Sequence, residues 1–401
     1  MNRNNKKGAA ARQPPIPLMM SKKTNKILNI LVILICAAAL VFGVLFAREA
    51  EPEQNNPYYT IEYELVRVTK VLYDNYTVDP ETENALRGSQ SLLVTVLTGR
   101  HKGDNMPINN YLGPMHEKLA HEGTVLTVTL TEDSREEGYQ LSVVNYDYTW
   151  LVIVMLVIFV AAVVIVGRKK GVMSLIGLVY SLIAIVFFLI PMWLKGYSAL
   201  LLTLIVCFFI TVFSFTLLGG VTRKTVSAML GTLLCVLVAG AFALICAGIA
   251  GVSGMTMEEA EWLLDEGRTA GVTLNVRGLL VSGVIIASLG AVMDVAMSIA
   301  SAVTELSLVD PKLSPSLLFK SGMNIGRDMI GTMTNTLILA FVGSSLNLMI
   351  VMFAAGMQPY QLMNNNDTIM ELIKGIAGSL GLVLAVPLTA AAASAKKAKS
   401  R

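Results

Sequence analysis

The sequence predicts an α-helical integral membrane protein with about eight transmembrane helices and a small extracytoplasmic all-β domain. The first observation is composition: 54% of the 401 residues are hydrophobic and only 15% are charged, whereas a soluble chain carries about 25% charged residues. The second observation is a series of long apolar runs, and the third is an alternation of basic clusters between them.

Eight apolar runs divide the chain, and each is long enough to cross a hydrocarbon core of about 30 Å as a helix. The later runs contain Gly, Ser, Thr and Asn, so their ends are less sharply marked. The runs cover approximately residues 27–47, 149–167, 172–194, 197–218, 226–250, 278–303, 329–356 and 369–393.

The first run has two interpretations, a cleaved signal peptide or a retained anchor. A signal peptide has an apolar region of about 7–15 residues before a small-residue cleavage site. The run at 27–47 is longer and is followed by the charged sequence AREAEPE, which favours a transmembrane anchor. We expect residues 1–26 to form a disordered cytoplasmic N-terminus, because they are polar and contain proline.

Basic residues cluster in alternate loops. Seven precede the first run, and further clusters follow the second and fourth runs, lie between the sixth and seventh, and form the tail at 396–401. Cytoplasmic loops carry the excess of Lys and Arg in membrane proteins. With an even number of helices these clusters all fall on one side. The sequence therefore predicts that both termini are cytoplasmic and that residues 149–395 form a seven-helix bundle.

Residues 48–148 form a long polar segment that this parity places outside the cytoplasm. Sequences such as TIEYELVRVTKVLY and GTVLTVTLTED alternate β-branched or aromatic residues with polar ones, and turn-forming residues separate them. Four or five such strands in about 100 residues are typical of a small OB or SH3-like barrel. The segment holds 17 acidic against 8 basic residues, which excludes a nucleic-acid module. Two roles stay open, namely binding of a ligand or partner, and a passive spacer.

No motif for catalysis or metal binding stands out. The four cysteines lie inside predicted spans, so the exterior segment has no disulfide framework and no cysteine-based zinc site. Its three histidines lack the HExxH arrangement and are expected to be ordinary surface residues. There is no P-loop, no GxSxG and no GxGxxG with the acidic residue that should follow it. The sequence therefore predicts no enzyme, no catalytic residues, no metal site and no cofactor.

One carboxylate stands in the apolar run LGAVMDVAMSIASAV at 289–303. On a helix, Asp294 shares a face with small residues at steps of three, four and seven, among them Ala287 and Ser298. A stripe of small residues is typical of a close helix contact in membranes. We therefore expect Asp294 to point into the bundle.

The next run offers matching polar groups. In GRDMIGTMTNTLILAF, the residues Asp328, Thr332 and Asn335 share one helix face at i, i+4 and i+7. By residue count, Asn335 and Asp294 lie about 10 and 13 Å from the cytoplasmic ends of their helices. Converging oxygens at one depth could bind a cation or carry a proton, and an intramembrane carboxylate is costly enough to suggest function. The alternative is a structural hydrogen bond or salt bridge.

Glu371 and Lys374 open the last run near its outer end. Their spacing of i, i+3 fits a surface ion pair. Gly375 and Gly378 lie on the same side, so an outer gate is the alternative interpretation.

Four segments of the chain resemble the YibE/F-like family of bacterial membrane proteins. The resemblance covers about residues 48–395 and implies a multi-pass protein of the bacterial cell membrane, often suspected of transport. It supplies no substrate and no catalytic residues. The segments are ASLGAVMDVAMSIASAV at 287–303, GRDMIGTMTNTLILAFVG at 326–343, ELIKGIAGSLGLVLAVPLTA at 371–390 and VTVLTGRHKGDNMPINNYLG at 94–113.

The predicted function is ion- or proton-coupled transport of a small solute, with the polar groups of the sixth and seventh runs as the ion site. The alternative is an assembly or sensing scaffold whose exterior domain binds a partner. The expected partners are the lipid bilayer, a small solute or cation, and a second copy or another protein engaged through the exterior domain. No nucleic acid is expected.

Overall fold

The computed structural model describes residues 22–49, 59–81, 85–113, 118–133, 138–252, 264 and 272–395. The chain divides into two compact units, residues 53–166 and the remainder. Residues 1–21 of the predicted disordered N-terminus and the basic tail at 396–401 lie outside the described residues. Residues 22–26 belong to the first helix.

The polar segment at 48–148 contains an antiparallel five-stranded sheet curled into a half-barrel, which confirms its predicted β character. The strand order is β3-β2-β1-β4-β5, and the two edge strands, β3 and β5, also approach each other. The long first strand pairs with β4 through its first half and with β2 through its second half. The strands are β1 Tyr59–Asp79, β2 Ala85–Val96, β3 Asn105–Leu112, β4 Val125–Asp133 and β5 Tyr139–Tyr146.

Alternate residues of the strands fill the half-barrel, as the period of two in a β-strand requires. Two register irregularities in β1, after Val68 and after Val71, bend this strand so that it can pair on both sides. The residues with at most 1% exposure in this core include Val66, Val68, Leu92, Val94, Leu126 and Val128.

One buried side chain, Gln90 of β2, fastens the segment before β4 to the half-barrel. Its Oε1 accepts hydrogen bonds from the Ala120 backbone N–H at 2.8 Å and from Asn110 Nδ2 at 3.1 Å. Its Nε2 donates to Asp74 Oδ1 at 2.8 Å. Both ends of the buried amide are therefore satisfied, and Ala120 is held with 0% exposure at the base of the core.

The turn after β2 depends on Gly99. Its φ is +70°, in the region that glycine adopts without steric cost. The carboxylate of Glu64, which is 6% exposed, occupies the place that a side chain at this position would take. Thr98 Oγ1 donates to the same carboxylate, so Glu64 is held in place.

We expect Gly99→Ala to destabilise the half-barrel by roughly 2–4 kcal/mol, because left-handed strain and overlap with Glu64 add together. Gly103→Ala is the matched control, since Gly103 also has positive φ, +101°, but nothing within 4 Å of the added carbon. Circular dichroism of an isolated fragment, residues 50–148, would follow both variants through denaturant unfolding. Equal losses for the two variants, or a helical or coil spectrum of the parent fragment, would contradict this account.

The rest of the chain is dominated by long apolar helices. Among the described residues, six helices are long and apolar enough to cross a membrane, or seven if one bent pair counts as a single span. Such helices indicate a membrane protein. The helices are α1 Lys22–Glu49, α2 Thr149–Ala184, α3 Ile190–Leu194, α4 Ala199–Gly219, α5 Arg223–Ile249, α6 Val276–Val309, α7 Pro315–Ser344, α8 Leu346–Ala354, α9 Pro359–Met363 and α10 Asn366–Ala395.

The stretch from Thr149 to Leu194 is too long for a single span. Its 46 residues extend about 69 Å as a helix, against a hydrocarbon core of about 30 Å. Arg168 interrupts the helix with φ 49° and ψ −132°, where the sequence predicts the end of one apolar run. Divided at Arg168, the stretch accounts for two of the eight predicted runs, and the count of eight spans stays a prediction.

Helix α1 packs into the helical unit. The Tyr180 hydroxyl of α2 donates to the Cys36 carbonyl at 3.2 Å. Asn29 Oδ1 accepts from the Val221 backbone N–H, before α5, at 2.7 Å. The predicted anchor is therefore a member of the helical unit.

Helices α5, α6, α7 and α10 pack closely through small residues, as helices in membranes do. A Cβ at Gly322 of α7 would lie 2.8 Å from Val303 of α6 and 3.0 Å from Ala390 of α10, and one at Gly326 would overlap Val386 of α10. These contacts fix α7 against α6 and α10. Other glycines with little or no room for a side chain are Gly231 and Gly240 of α5 and Gly381 of α10.

The predicted run at 329–356 does not form one straight helix. Helix α7 begins earlier, at Pro315, and ends at Ser344, and α8 is bent from it by 56°. The physical reason is the sequence Gly-Ser-Ser at 343–345, because paired Gly and Ser residues are common causes of sharp helix kinks.

Candidate functional site

The depth of each polar side chain follows from the packing of α6 against α7. Val303 of α6 lies next to Gly322 of α7. Ser288, which precedes Val303 along α6, and Leu337, which follows Gly322 along α7, both lie beside Gly378 of α10. The two helices are therefore antiparallel. Counting along them at 1.5 Å per residue places Asp294 level with about position 331 of α7, roughly one turn from Asn335.

Asp294 and Ser298 lie on an open face of α6. Both are exposed, as are Gly283, Ala287 and Gly290 on the same face. A Cβ at either glycine would meet nothing within 4 Å. Asp294 makes no hydrogen bond or ion pair with the described residues.

This placement differs from the expectation that Asp294 points into the bundle. The contacts of α6 with α5, α7 and α10 are taken by apolar residues on its other sides, among them Ile285, Val295 and Ile299, each 0% exposed. Within the described chain, the small-residue stripe is the side of α6 that other helices leave open.

Asp328, Thr332 and Asn335 lie on the side of α7 opposite its packed face. Gly326 marks the packed face, and at about 100° per residue Asp328 and Asn335 lie about 200° and about 180° away from it. All three polar residues are exposed. Thr332 Oγ1 donates to the Met329 carbonyl of its own helix at 3.1 Å.

The structure therefore does not bring the five predicted ion-site residues together. Asp294 and Ser298 share one helix face, and Asp328, Thr332 and Asn335 share another. In the part of the chain that the structure describes, no hydrogen bond or ion pair joins the two faces. Helical periodicity identifies residues that share a face, but it does not say which face meets a neighbouring helix.

The predicted Glu371–Lys374 pair is present and has a third member. Lys374 Nζ lies 2.5 Å from Glu371 Oε1, with the two side chains 29% and 26% exposed. Ser345 Oγ donates to the other carboxylate oxygen of Glu371 at 2.7 Å. Because Ser345 separates α7 from α8, the pair is attached to the 56° bend. Sequence reasoning missed Ser345, whose only signal was its place in the Gly-Ser-Ser sequence.

In the half-barrel, His101 is the centre of a polar cluster and not the plain surface residue expected. Its Nε2 lies 2.9 Å from Glu132 Oε1 and its Nδ1 lies 3.4 Å from Asp104 Oδ2. Its ring packs 3.9 Å from that of Tyr139, whose hydroxyl donates to Asp104. The hydrogen bond with Glu132 raises the pKa of His101, and burial raises the pKa of Tyr139 to about 12. No group of three His, Cys, Asp or Glu side chains among the described residues is placed to hold a metal ion.

The outer face of the first three strands carries two prominent tyrosines. Tyr73 of β1 is 66% exposed and Tyr111 of β3 is 71% exposed. Strand pairing places them on either side of β2, next to Ser91 and Ser89. Six uncharged polar side chains on this face are here called the tyrosine platform: Tyr73, Asn75, Ser89, Ser91, Asn109 and Tyr111.

Residues 155–399, more than half of the chain, match the family model described as YibE/F-like protein. The chain belongs to the YibE/F-like family. The predicted resemblance is thereby confirmed over this range, and its extension to residues 48–154 stays a prediction. No curated protein and no solved structure gave a significant match to the chain.

Both open helix faces of this YibE/F-like protein lie within the matched range, as does the Glu371–Lys374 pair. The half-barrel, with His101 and the tyrosine platform, lies before it. The family match therefore covers the predicted ion-site residues and the Glu371–Lys374 pair, and it does not cover the half-barrel.

Proposed function

We propose that the chain is a multi-pass protein of the bacterial cell membrane with eight spans, two cytoplasmic termini and the half-barrel outside. The long apolar helices and the alternation of basic clusters support this placement. The strand order, in which β1 lies between β2 and β4 while β3 approaches β5, supports an OB-like rather than an SH3-like barrel.

Labelling of engineered cysteines tests this topology. We expect an impermeant maleimide added to intact cells to label Lys102→Cys, in the exposed turn of the half-barrel, and to leave Lys312→Cys unlabelled until the cells are opened. Lys312 follows α6 and lies in a basic cluster, so it should be cytoplasmic. Labelling with the opposite pattern would rule out the eight-span arrangement.

Within this membrane protein we propose ion- or proton-coupled transport of a small solute, with Asp294 as the coupling residue. The observation that carries the proposal is the carboxylate of Asp294, which has no partner among the described residues and lies near the middle of α6 on an open stripe of small residues. A carboxylate at this depth is too costly to leave against lipid. Water and a moving ion or solute along the stripe would satisfy it.

Solute profiling tests the transport proposal. Proteoliposomes containing the purified chain would be offered a defined mixture of small metabolites, with and without an imposed proton gradient, and their contents measured by mass spectrometry. We expect at least one solute to accumulate only when both the protein and the gradient are present. Identical contents in protein-containing and protein-free vesicles would count against transport.

A second candidate function rests on the tyrosine platform. Exposed aromatic rings flanked by neutral hydroxyl and amide groups are suited to stack on and hydrogen-bond a polyhydroxyl ligand such as a cell-wall glycan. In that case the chain is a sensing or assembly scaffold. Co-sedimentation of the purified protein with insoluble peptidoglycan, lost in the double variant Tyr73→Ala/Tyr111→Ala, would favour this function over a passive spacer.

A further inference from the structure

The polar side of α7 has the spacing of a helix-pairing seam. Successive steps of four, three, four, three and four residues connect six exposed positions, which is the 3.5-residue repeat of helices that wind around each other. The cytoplasmic half of the seam is polar and the outer half is apolar. The seam positions are Asn324, Asp328, Gly331, Asn335, Ile338 and Val342.

No described residue of the helical unit covers this seam. Helix α7 uses its opposite side, at Gly322 and Gly326, to contact α6 and α10. On the seam side, two side-chain hydrogen bonds stay within α7: Thr336 Oγ1 donates to the Thr332 carbonyl at 2.9 Å, and Arg327 donates to Asn324 Oδ1 at 3.4 Å. A Cβ at Gly331 would meet nothing within 4 Å.

The seam is too polar to face lipid. An Asp or Arg near the bilayer centre costs about 2.5–3.5 kcal/mol on insertion scales. Asn335 adds an amide with two donors and an acceptor at a central depth, level with about position 290 of α6. The apolar stretch at 151–166 has no polar side chain, so it supplies no partner for these groups.

We propose that the seam is the contact between two copies of this chain, related by a two-fold axis along the membrane normal. Such an axis sets the two α7 helices parallel, so each seam residue meets itself. Asn335 is self-complementary, because its amide both donates and accepts. Arg327 lies beside Asp328, so each guanidinium can reach the carboxylate of the other copy, and Gly331 lets the two backbones approach closely.

The proposed pairing gives the predicted ion-site residues of α7 a different role. In the single chain, Asp328, Thr332 and Asn335 lie on a different helix face from Asp294. In the dimer, both copies of these three residues would lie around the two-fold axis. The polar groups of α7 would then serve assembly, and Asp294 would stand outside the contact on each copy. The inference rests on the membrane placement proposed above and does not depend on transport.

Disulfide cross-linking of the full-length protein in native membranes tests this pairing. Asn335→Cys should give a cross-linked species of twice the chain mass on mild oxidation. Leu244→Cys is the matched control, because Leu244 of α5 is 40% exposed and lies at nearly the same depth by the contacts of α10 with α5 and α7. Neither the control nor the unaltered chain, whose own cysteines are buried or half-buried, should cross-link.

A second variant tests the same pairing without an introduced cysteine, in case the cysteine itself disturbs the fold. Gly331→Leu adds a side chain to the seam where a Cβ meets no described atom within 4 Å, and Gly248→Leu on α5, which is equally open, is its control. Light scattering in mild detergent should find the unaltered chain and Gly248→Leu as dimers and Gly331→Leu as a folded monomer, with at least a tenfold weaker association. A monomeric unaltered chain, a dimeric Gly331→Leu, or equal cross-linking at positions 335 and 244 would overturn the proposal.

Discussion

Gly326→Leu should leave the helical unit unable to pack. The added side chain would overlap Val386 of α10 at the closest approach of the two helices. Overpacking of a well-filled core costs about 1–3 kcal/mol and occasionally more, and here the nearest atoms belong to a branched, fully buried residue that cannot move aside. We expect a low yield in the membrane and a midpoint of thermal unfolding in detergent lowered by many degrees.

Gly343→Leu is the matched control for this prediction. It adds the same side chain to the same helix, where a Cβ would meet nothing within 4 Å. Thermal unfolding monitored by circular dichroism, with both variants in the same detergent, separates the effect of overlap from the gain in helix propensity that both substitutions share. If the two variants unfold at the same temperature, the close α7–α10 contact is not what stabilises the unit.

Asp294→Asn should abolish transport while the protein still inserts and folds. The amide keeps the size of the side chain and much of its hydrogen bonding but removes the titratable charge. If Asp294 only joined helices, the amide should serve nearly as well, since interhelical hydrogen bonds within membranes contribute about 0.6 kcal/mol on average. If it carries a proton or cation, activity should fall to background.

Two further substitutions sharpen the test of Asp294. Asp294→Glu restores the carboxylate and should recover part of the activity. Ser298→Ala removes a hydroxyl one turn away on the same face and should change the apparent affinity for the coupled ion more than the maximal rate. A fully active Asp294→Asn protein would assign the carboxylate a structural role.

The half-barrel and the long helices could be predicted because each has a local signal. Strands that alternate buried and half-buried residues, as β2 does from Gln90 to Val96, carry the period of two in their sequence. The long helices are predicted from their mean hydropathy over many residues, which a single polar side chain changes little. The resemblance to the YibE/F-like family rests on long sequence motifs in α6, α7 and α10. It could also be predicted from the sequence, and it was confirmed over residues 155–399.

The candidate site could be predicted only in part, because it depends on which helix faces meet. The small residues around Asp294 and those at Gly322 and Gly326 look alike in sequence, yet the first group is open and the second is packed against α10. The cluster around His101 joins a turn to β4 and β5 across 31 residues of sequence, and the bond from Ser345 to Glu371 closes a gap of 26. The sequence next to His101 or Ser345 gives no indication of these distant partners.

Proton flux through the purified protein tests the coupling role of Asp294 most directly. Proteoliposomes loaded with a pH-sensitive dye would be given an inward proton gradient together with the solute mixture, and the initial rate of internal acidification would be recorded for the unaltered chain, for Asp294→Asn and for protein-free vesicles. The coupling role of Asp294 predicts solute-dependent acidification by the unaltered chain alone, with Asp294→Asn at the protein-free rate. Equal acidification by the unaltered chain and by Asp294→Asn would contradict it.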